Sequence, residues 1–189
     1  EIEPFHSEWL EGKGGHSIYV EQSGNPDGQP IVFLHGGPGG GTGPRQRRFF
    51  DPNHYHIILF DQRGCGKSKP LGGTDNNTTA HLIADMEAIR HHLNINQWIS
   101  FGGSWGSSLA LAYGVEYPAA TSGMILRGVF LSRKHELEWF LNDVDQFFPE
   151  LHANLIKHKP YINKANLVQS YIDLVFSDDQ NEAKKAAVM

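Results

Sequence analysis

Little in this chain would tie it together covalently or fasten it to a membrane. Cys65 is the only cysteine, so no internal disulfide can form, and a reducing, cytoplasmic setting is the expectation. No apolar run is long enough to span a bilayer, and no secretory leader is present, although Glu1 is not an initiator and leaves room for residues upstream. Positive charge is in deficit: 16 Lys and Arg face 21 Asp and Glu, a formal net charge of −5. That balance argues against nucleic acid or an anionic membrane as partner. Internal repeats and low-complexity runs are absent as well. What remains, 39% hydrophobic and 20% charged residues, is ordinary for a globular protein.

The most informative stretch is Phe101-Gly102-Gly103-Ser104-Trp105-Gly106-Ser107-Ser108-Leu109-Ala110, which holds Gly-x-Ser-x-Gly. A serine hydroxyl is a weak nucleophile and must stand where a base and an oxyanion site can reach it. A sharp strand-to-helix turn does this, and Gly102 and Gly106 leave room for strand and helix to approach closely. On spacing alone a structural Gly/Ser turn is an equal alternative. The flanks decide: Gln97 to Phe101 reads as a short buried strand, and Leu109 to Tyr113 suits a buried helix. The helix N-terminus also aims amides and a positive dipole end at the serine. Ser104 is therefore the predicted nucleophile.

Upstream, the apolar run Ile31-Val32-Phe33-Leu34 breaks into His35-Gly36-Gly37-Pro38-Gly39-Gly40-Gly41. Glycine content alone suits a flexible surface loop. Its place after a strand, ahead of the elbow, suits an oxyanion loop better, with backbone amides of Gly37 and Trp105 as donors. His35 is expected to order this loop rather than act as base. A third run, Ile57 to Phe60, leads into Asp61-Gln62-Arg63-Gly64-Cys65-Gly66-Lys67-Ser68. Its end imitates a phosphate loop, but Asp61 stands where the first glycine is required. The dinucleotide fingerprint fails too, because Lys69 replaces its last glycine. The better reading is a turn held by Asp61 and Arg63 through charge-assisted hydrogen bonds.

Together these three motifs resemble the proline iminopeptidases, also called prolyl aminopeptidases. Leu126 to Leu131, Glu138-Trp139-Phe140 and Phe148-Pro149-Glu150 are similar to that family's passage from core into cap. The resemblance implies an α/β-hydrolase fold and release of N-terminal proline from small peptides through a Ser-Asp-His triad, with no cofactor. Carried over by position, it puts the nucleophile at Ser104 and the oxyanion amides at Gly37 and Trp105. Oligomeric state is not implied.

One part of the pattern is missing. In this fold the acid and then the histidine follow the serine along the chain. After Ser104 the only histidines are His135, His152 and His158, all in the expected cap. The expectation is an N-terminal portion of a longer enzyme, inactive alone, with part of the α/β core over 1–130 and the start of a helical cap over 131–189. At 189 residues it is also short for an open α/β domain, which commonly runs past roughly 200. An esterase of the same fold and a catalytically dead binding domain stay open beside the aminopeptidase reading.

The rest of the chain suits a mostly parallel sheet covered on both faces. Strands are expected at Phe5–Leu10 and Ser17–Gln22, joined by a glycine turn, then at Ile31–Leu34, His56–Asp61, Trp98–Phe101 and Gly123–Arg127. Thr79 to Leu93 puts Leu82, Met86, Ile89 and Leu93 on one helical face after a capping stretch at Asn76-Asn77-Thr78. His54-x-His56 and His91-His92 lack a third ligand and read as ordinary histidines, not a metal site. The sequons at Asn76 and Asn77 read as capping residues. Trp139, Phe140, Phe147 and Phe148 suit either a pocket for a proline ring or the core of the cap.

Overall fold

The computed structural model describes residues 2–141, 143–150, 153 and 167–187. The chain divides into two compact units, Glu1–Leu131 and Ser132–Met189. The first unit is built on six strands: β1 (Pro4–Gly12), β2 (His16–Gly24), β3 (Gln29–Leu34), β4 (Tyr55–Phe60), β5 (Trp98–Ser104) and β6 (Thr121–Val129). They form one sheet in the order β1-β2-β4-β3-β5-β6. The β1–β2 and β2–β4 pairs are antiparallel, whereas β3 pairs in parallel with β4 and β5, and β5 with β6. From β3 the chain runs first to β4 on one side and later to β5 on the other. That reversal makes the C-terminal ends of β3 and β5 a switch point, where open α/β sheets place ligands.

The central strands are continuous apolar runs because both their faces are buried. Val32, Leu34, Ile58 and Phe60 face one core, where they meet Leu82, Met86 and Ile89 of α2 (Thr79–His92) and Leu109, Ala110 and Tyr113 of α3 (Trp105–Glu116). Ile31, Phe33, Ile57 and Leu59 face the other side, where Phe50 is the buried partner. Both long helices of this unit thus share one face. On the opposite face the segment after α1 (Pro44–Arg47) contributes two phenylalanines: Phe50 is buried, and Phe49 stacks on Phe33 and Phe101 at 5.9 and 5.7 Å.

Strand β5 runs on to Ser104, beyond the expected Phe101, although Gly102 and Gly103 are poor strand formers. Pairing on both sides holds it: Gly102 lies opposite Leu34 on one side and Leu126 on the other. The expected hairpin between β1 and β2 forms, with Gly14 and Gly15 at positive φ in its turn. Thr78 occupies the N-cap of α2, while Asn77 instead donates to Arg63 O and Gly73 O.

In the second unit the described elements are helical: α4 (Lys134–Leu141), α5 (Leu167–Val175) and α6 (Gln180–Ala187). Trp139, Phe140, Phe147 and Phe148 are exposed, so among the described residues they form no cap core. Trp139 and Phe147 touch, with ring centroids 6.4 Å apart. No helix among the described residues is long and apolar enough to cross a membrane.

Candidate active site

Ser104 stands at the corner between β5 and α3 with φ 54° and ψ −124°. This left-handed backbone is costly for any residue with a Cβ, by about 1–3 kcal/mol, and persists only where the surroundings impose it. The surroundings are glycines. A Cβ at Gly102 would overlap Gly106 O, and one at Gly106 would overlap Leu34 O. Backbone therefore packs on backbone from β3 through α3, and the serine is pushed outward, where it is exposed. Ser107 completes the corner: its hydroxyl donates to Ser104 O at 2.6 Å and accepts from Phe130 N at 3.1 Å.

The glycine loop comes to the same corner. A Cβ at Gly36 would lie 3.4 Å from Ser104 Cβ and 3.9 Å from its Oγ. Gly37 has φ 120°, a conformation an L side chain rarely adopts, and a Cβ there would press on Gly39 N. Gly40 N donates back to Gly36 O at 3.1 Å, which closes the loop on itself. Ser104, Gly36, Gly40, Gly41, Gln46, Phe49 and Arg127 line a cavity of about 400 Å³. One wall is aromatic and one is cationic, since Arg127 lies across Gly103. Trp105 opens α3, which puts its backbone amide beside the serine at the helix N-terminus.

His35 is buried, and its neighbours select its tautomer. Gln62 N–H donates to Nε2 at 3.0 Å, so the ring proton sits on Nδ1, 3.0 Å from Gly36 O. Gly41 N–H also approaches Nδ1, at 3.2 Å, but the other tautomer would set two protons against each other at Nε2 and a lone pair against Gly36 O. Burial pushes the pKa of His35 down, against smaller upward pulls from the Gly36 carbonyl and Asp61. A neutral ring with both nitrogens occupied orders the loop and is not available as a base. Among the described residues no imidazole or carboxylate is hydrogen-bonded to Ser104 Oγ; His135 is exposed in the second unit, and His152 and His158 lie outside the described residues.

The Asp61-Gln62-Arg63 turn joins the remaining parts. Asp61 accepts from Thr42 N, Thr42 Oγ1 and Lys67 N at 2.6–2.8 Å, fixing the end of the glycine loop. Arg63 is bidentate to Asp85 of α2 at 2.6 and 2.7 Å and also donates to Lys13 O and Asn76 O. Sequence reasoning placed both charges in the turn but not Asp85, which sits on the inner face of α2, nor Gln62. Two further polar residues escaped it: Arg47 forms a buried pair with Glu21, at 2.6 Å. Of the paired histidines, His56 is buried on Gln22 Oε1, whereas His54, His91 and His92 are exposed; no group of metal-binding residues occurs among those described.

A serine forced to positive φ between a parallel strand and a helix, facing a glycine loop, defines a class. The chain belongs to the alpha/beta hydrolase fold family, whose model matches residues 29–188. It is 58% identical over 139 residues to the proline iminopeptidase of Arabidopsis thaliana, covering 74% of this chain and 37% of that protein. It is 46% identical over 187 residues to a probable proline iminopeptidase of Leptolyngbya boryana, covering 98% of this chain and 58% of that protein. Among solved structures it resembles the proline iminopeptidase of Mycobacterium smegmatis with TM-score 0.64 and 19% identity, over 97% of this chain and 66% of that one. That last likeness concerns the fold. The chain spans less than two thirds of the length of both curated relatives.

Proposed function

We propose that this chain carries the nucleophile and the oxyanion site of a serine aminopeptidase that releases N-terminal proline from short peptides. The observation that carries the chemistry is Ser104, exposed at φ 54° with the glycine loop so near that a Cβ on Gly36 would touch it. The similarity to proteins named proline iminopeptidase supports the substrate class; fold alone would not, since the same corner suits any acyl transfer. In this reading Ser104 Oγ attacks the carbonyl carbon of the N-terminal proline. The developing oxyanion is held by the amides of Gly37 and Trp105, and a histidine takes the hydroxyl proton and passes it to the departing amine. Water then hydrolyses the prolyl ester on Ser104 by the same route.

The histidine and its carboxylate partner are assigned to sequence outside these 189 residues. Two features support this: His35 is neutral and fully engaged, and the relatives are longer. Residues 1–130 are read as part of the catalytic core and 131–189 as the start of a cap. The lone buried Cys65 supports a reducing cytoplasmic setting. The test is turnover of a prolyl arylamide beside a short-chain ester by the full-length protein and by the 189-residue chain. Preference for the arylamide, absent from the shorter chain, is expected. Preference for the ester would overturn the substrate class, and arylamide turnover by the shorter chain would place a base inside it.

A further inference from the structure

We propose that Gln62 is a positioning residue for the oxyanion site, holding the end of β3 and the start of α3 in fixed orientation. The proposal rests on the reading of Ser104 as nucleophile given above. Gln62 is 2% exposed. Its side-chain Nε2 donates to His35 O at 2.8 Å, and its Oε1 accepts from the indole Nε1–H of Trp105 at 3.0 Å. Both neighbours have fixed roles, because a carbonyl only accepts and an indole N–H only donates, so the amide can face just one way. With its backbone N–H on His35 Nε2, Gln62 makes three bonds that converge on the two segments supplying the proposed oxyanion amides. Among the described residues it alone is hydrogen-bonded to both His35 and Trp105.

The arrangement does something that packing does not. The close approach of Gly106 to Leu34 sets how near the two segments lie, while the bonds of Gln62 act on the residues that follow, His35 and Trp105. Oxyanion donors must converge on one point within a few tenths of an ångström, and they act only if that geometry exists before the reaction. The amide of Gln62 bonds Trp105, the residue after the nucleophile, to the residue that opens the glycine loop. Asp61 and Arg63 on either side bond elsewhere, to Thr42 and Lys67 and to Asp85. Only the middle residue of the turn bears on the elbow.

Gln62→Glu and Gln62→Met in the full-length protein test this. The glutamate keeps the size and still accepts from Trp105, but its carboxylate has no proton for His35 O. The methionine keeps the length and makes neither bond. Turnover would be measured per active site, titrated with a fluorophosphonate, together with inhibition by a proline boronic acid and by free proline. The boronate becomes tetrahedral on Ser104 and uses the oxyanion site, whereas proline binds without it.

Both variants should lose roughly tenfold to a hundredfold in kcat, the scale of a small misplacement at a reacting centre. Boronate affinity should fall in parallel, with KM and proline inhibition within about twofold of wild type. A merely structural glutamine would lower the titrated fraction and leave kcat per site unchanged, which overturns the proposal. If Gln62→Met does not fold, Trp105→Phe removes the indole donor alone and should show a loss like that of Gln62→Glu. If the wild-type protein turns over only the ester, and does so through Ser104, the substrate reading fails and the same comparison is made on the ester. If no turnover depends on Ser104, the nucleophile assignment fails and Gln62 falls with it.

Discussion

Gly106 in the first turn of α3 lies against the carbonyl of Leu34 at the end of β3, backbone on backbone, with no space for a methyl group between them. This contact joins the serine corner to the strand that feeds the glycine loop. Neither side has a flexible side chain that could give way.

Gly106→Ala is accordingly expected to be destabilised by about 4 kcal/mol or more, at the exceptional end for single substitutions. Gly123→Ala serves as the control, since a Cβ there meets only Ile99 at an ordinary 3.8 Å. Urea unfolding of the two variants checks this. Comparable stability in both would mean that the approach of α3 to β3 is looser than described.

Ser104 offers a test that separates strain from chemistry. Ser104→Ala and Ser104→Gly should both lose several orders of magnitude in kcat, because each removes the attacking oxygen. Their stabilities should differ, since only glycine is at ease at φ 54°. The glycine variant should be the more stable by about 1 kcal/mol or more. Equal unfolding midpoints would remove the case for strain, and retained turnover would remove the nucleophile.

The Arg63–Asp85 pair is buried, with side chains 1% and 5% exposed. Asp85→Ala leaves a guanidinium without its counter-charge in the core and should cost about 3–5 kcal/mol. Chemical denaturation would show it, and a loss under about 1 kcal/mol would mean that Arg63 relaxes to solvent.

Burial lowers the pKa of His35, and it lowers that of His56 too. The unfolded chain therefore binds protons that the folded chain refuses. Stability from the neutral rings is complete above the unfolded value near 6.5 and is lost as pH falls toward the lower folded values. The melting temperature should drop between pH 7 and pH 5, and less so in His35→Gln, where the His56 contribution remains. An unchanged slope in that variant would show that the fold does not lower the pKa of His35.

How much of this was legible depended on the kind of signal. Apolar runs such as Ile31–Leu34 and Ile57–Phe60 announced buried strands because one short stretch carries the whole pattern. The corner at Ser104 was readable for the same reason, as glycines at fixed spacing meet a local steric demand. Asp85, Gln62 and the Glu21–Arg47 pair were not readable. Each is a polar residue whose partner lies far along the chain, and no periodicity records such a pairing. The end of β5 was missed differently: Gly102 and Gly103 disfavour a strand locally, and neighbours on both sides override them. The placing of both long helices on one sheet face was equally hidden, because the aromatic contacts of Phe49 and Phe50 on the other face have no helical signature.

The pairing of Leu34 with Gly102 has a consequence in time. The loop that follows β3 and the helix that follows β5 are separated by about half of the first unit, and they meet only when those two strands lie side by side. Before that moment Ser104 is a hydroxyl like any other, with no amides gathered around it. In the proposed reading, then, the serine gains its oxyanion amides only where these two strands are paired, and a chain in which they are apart has no assembled site.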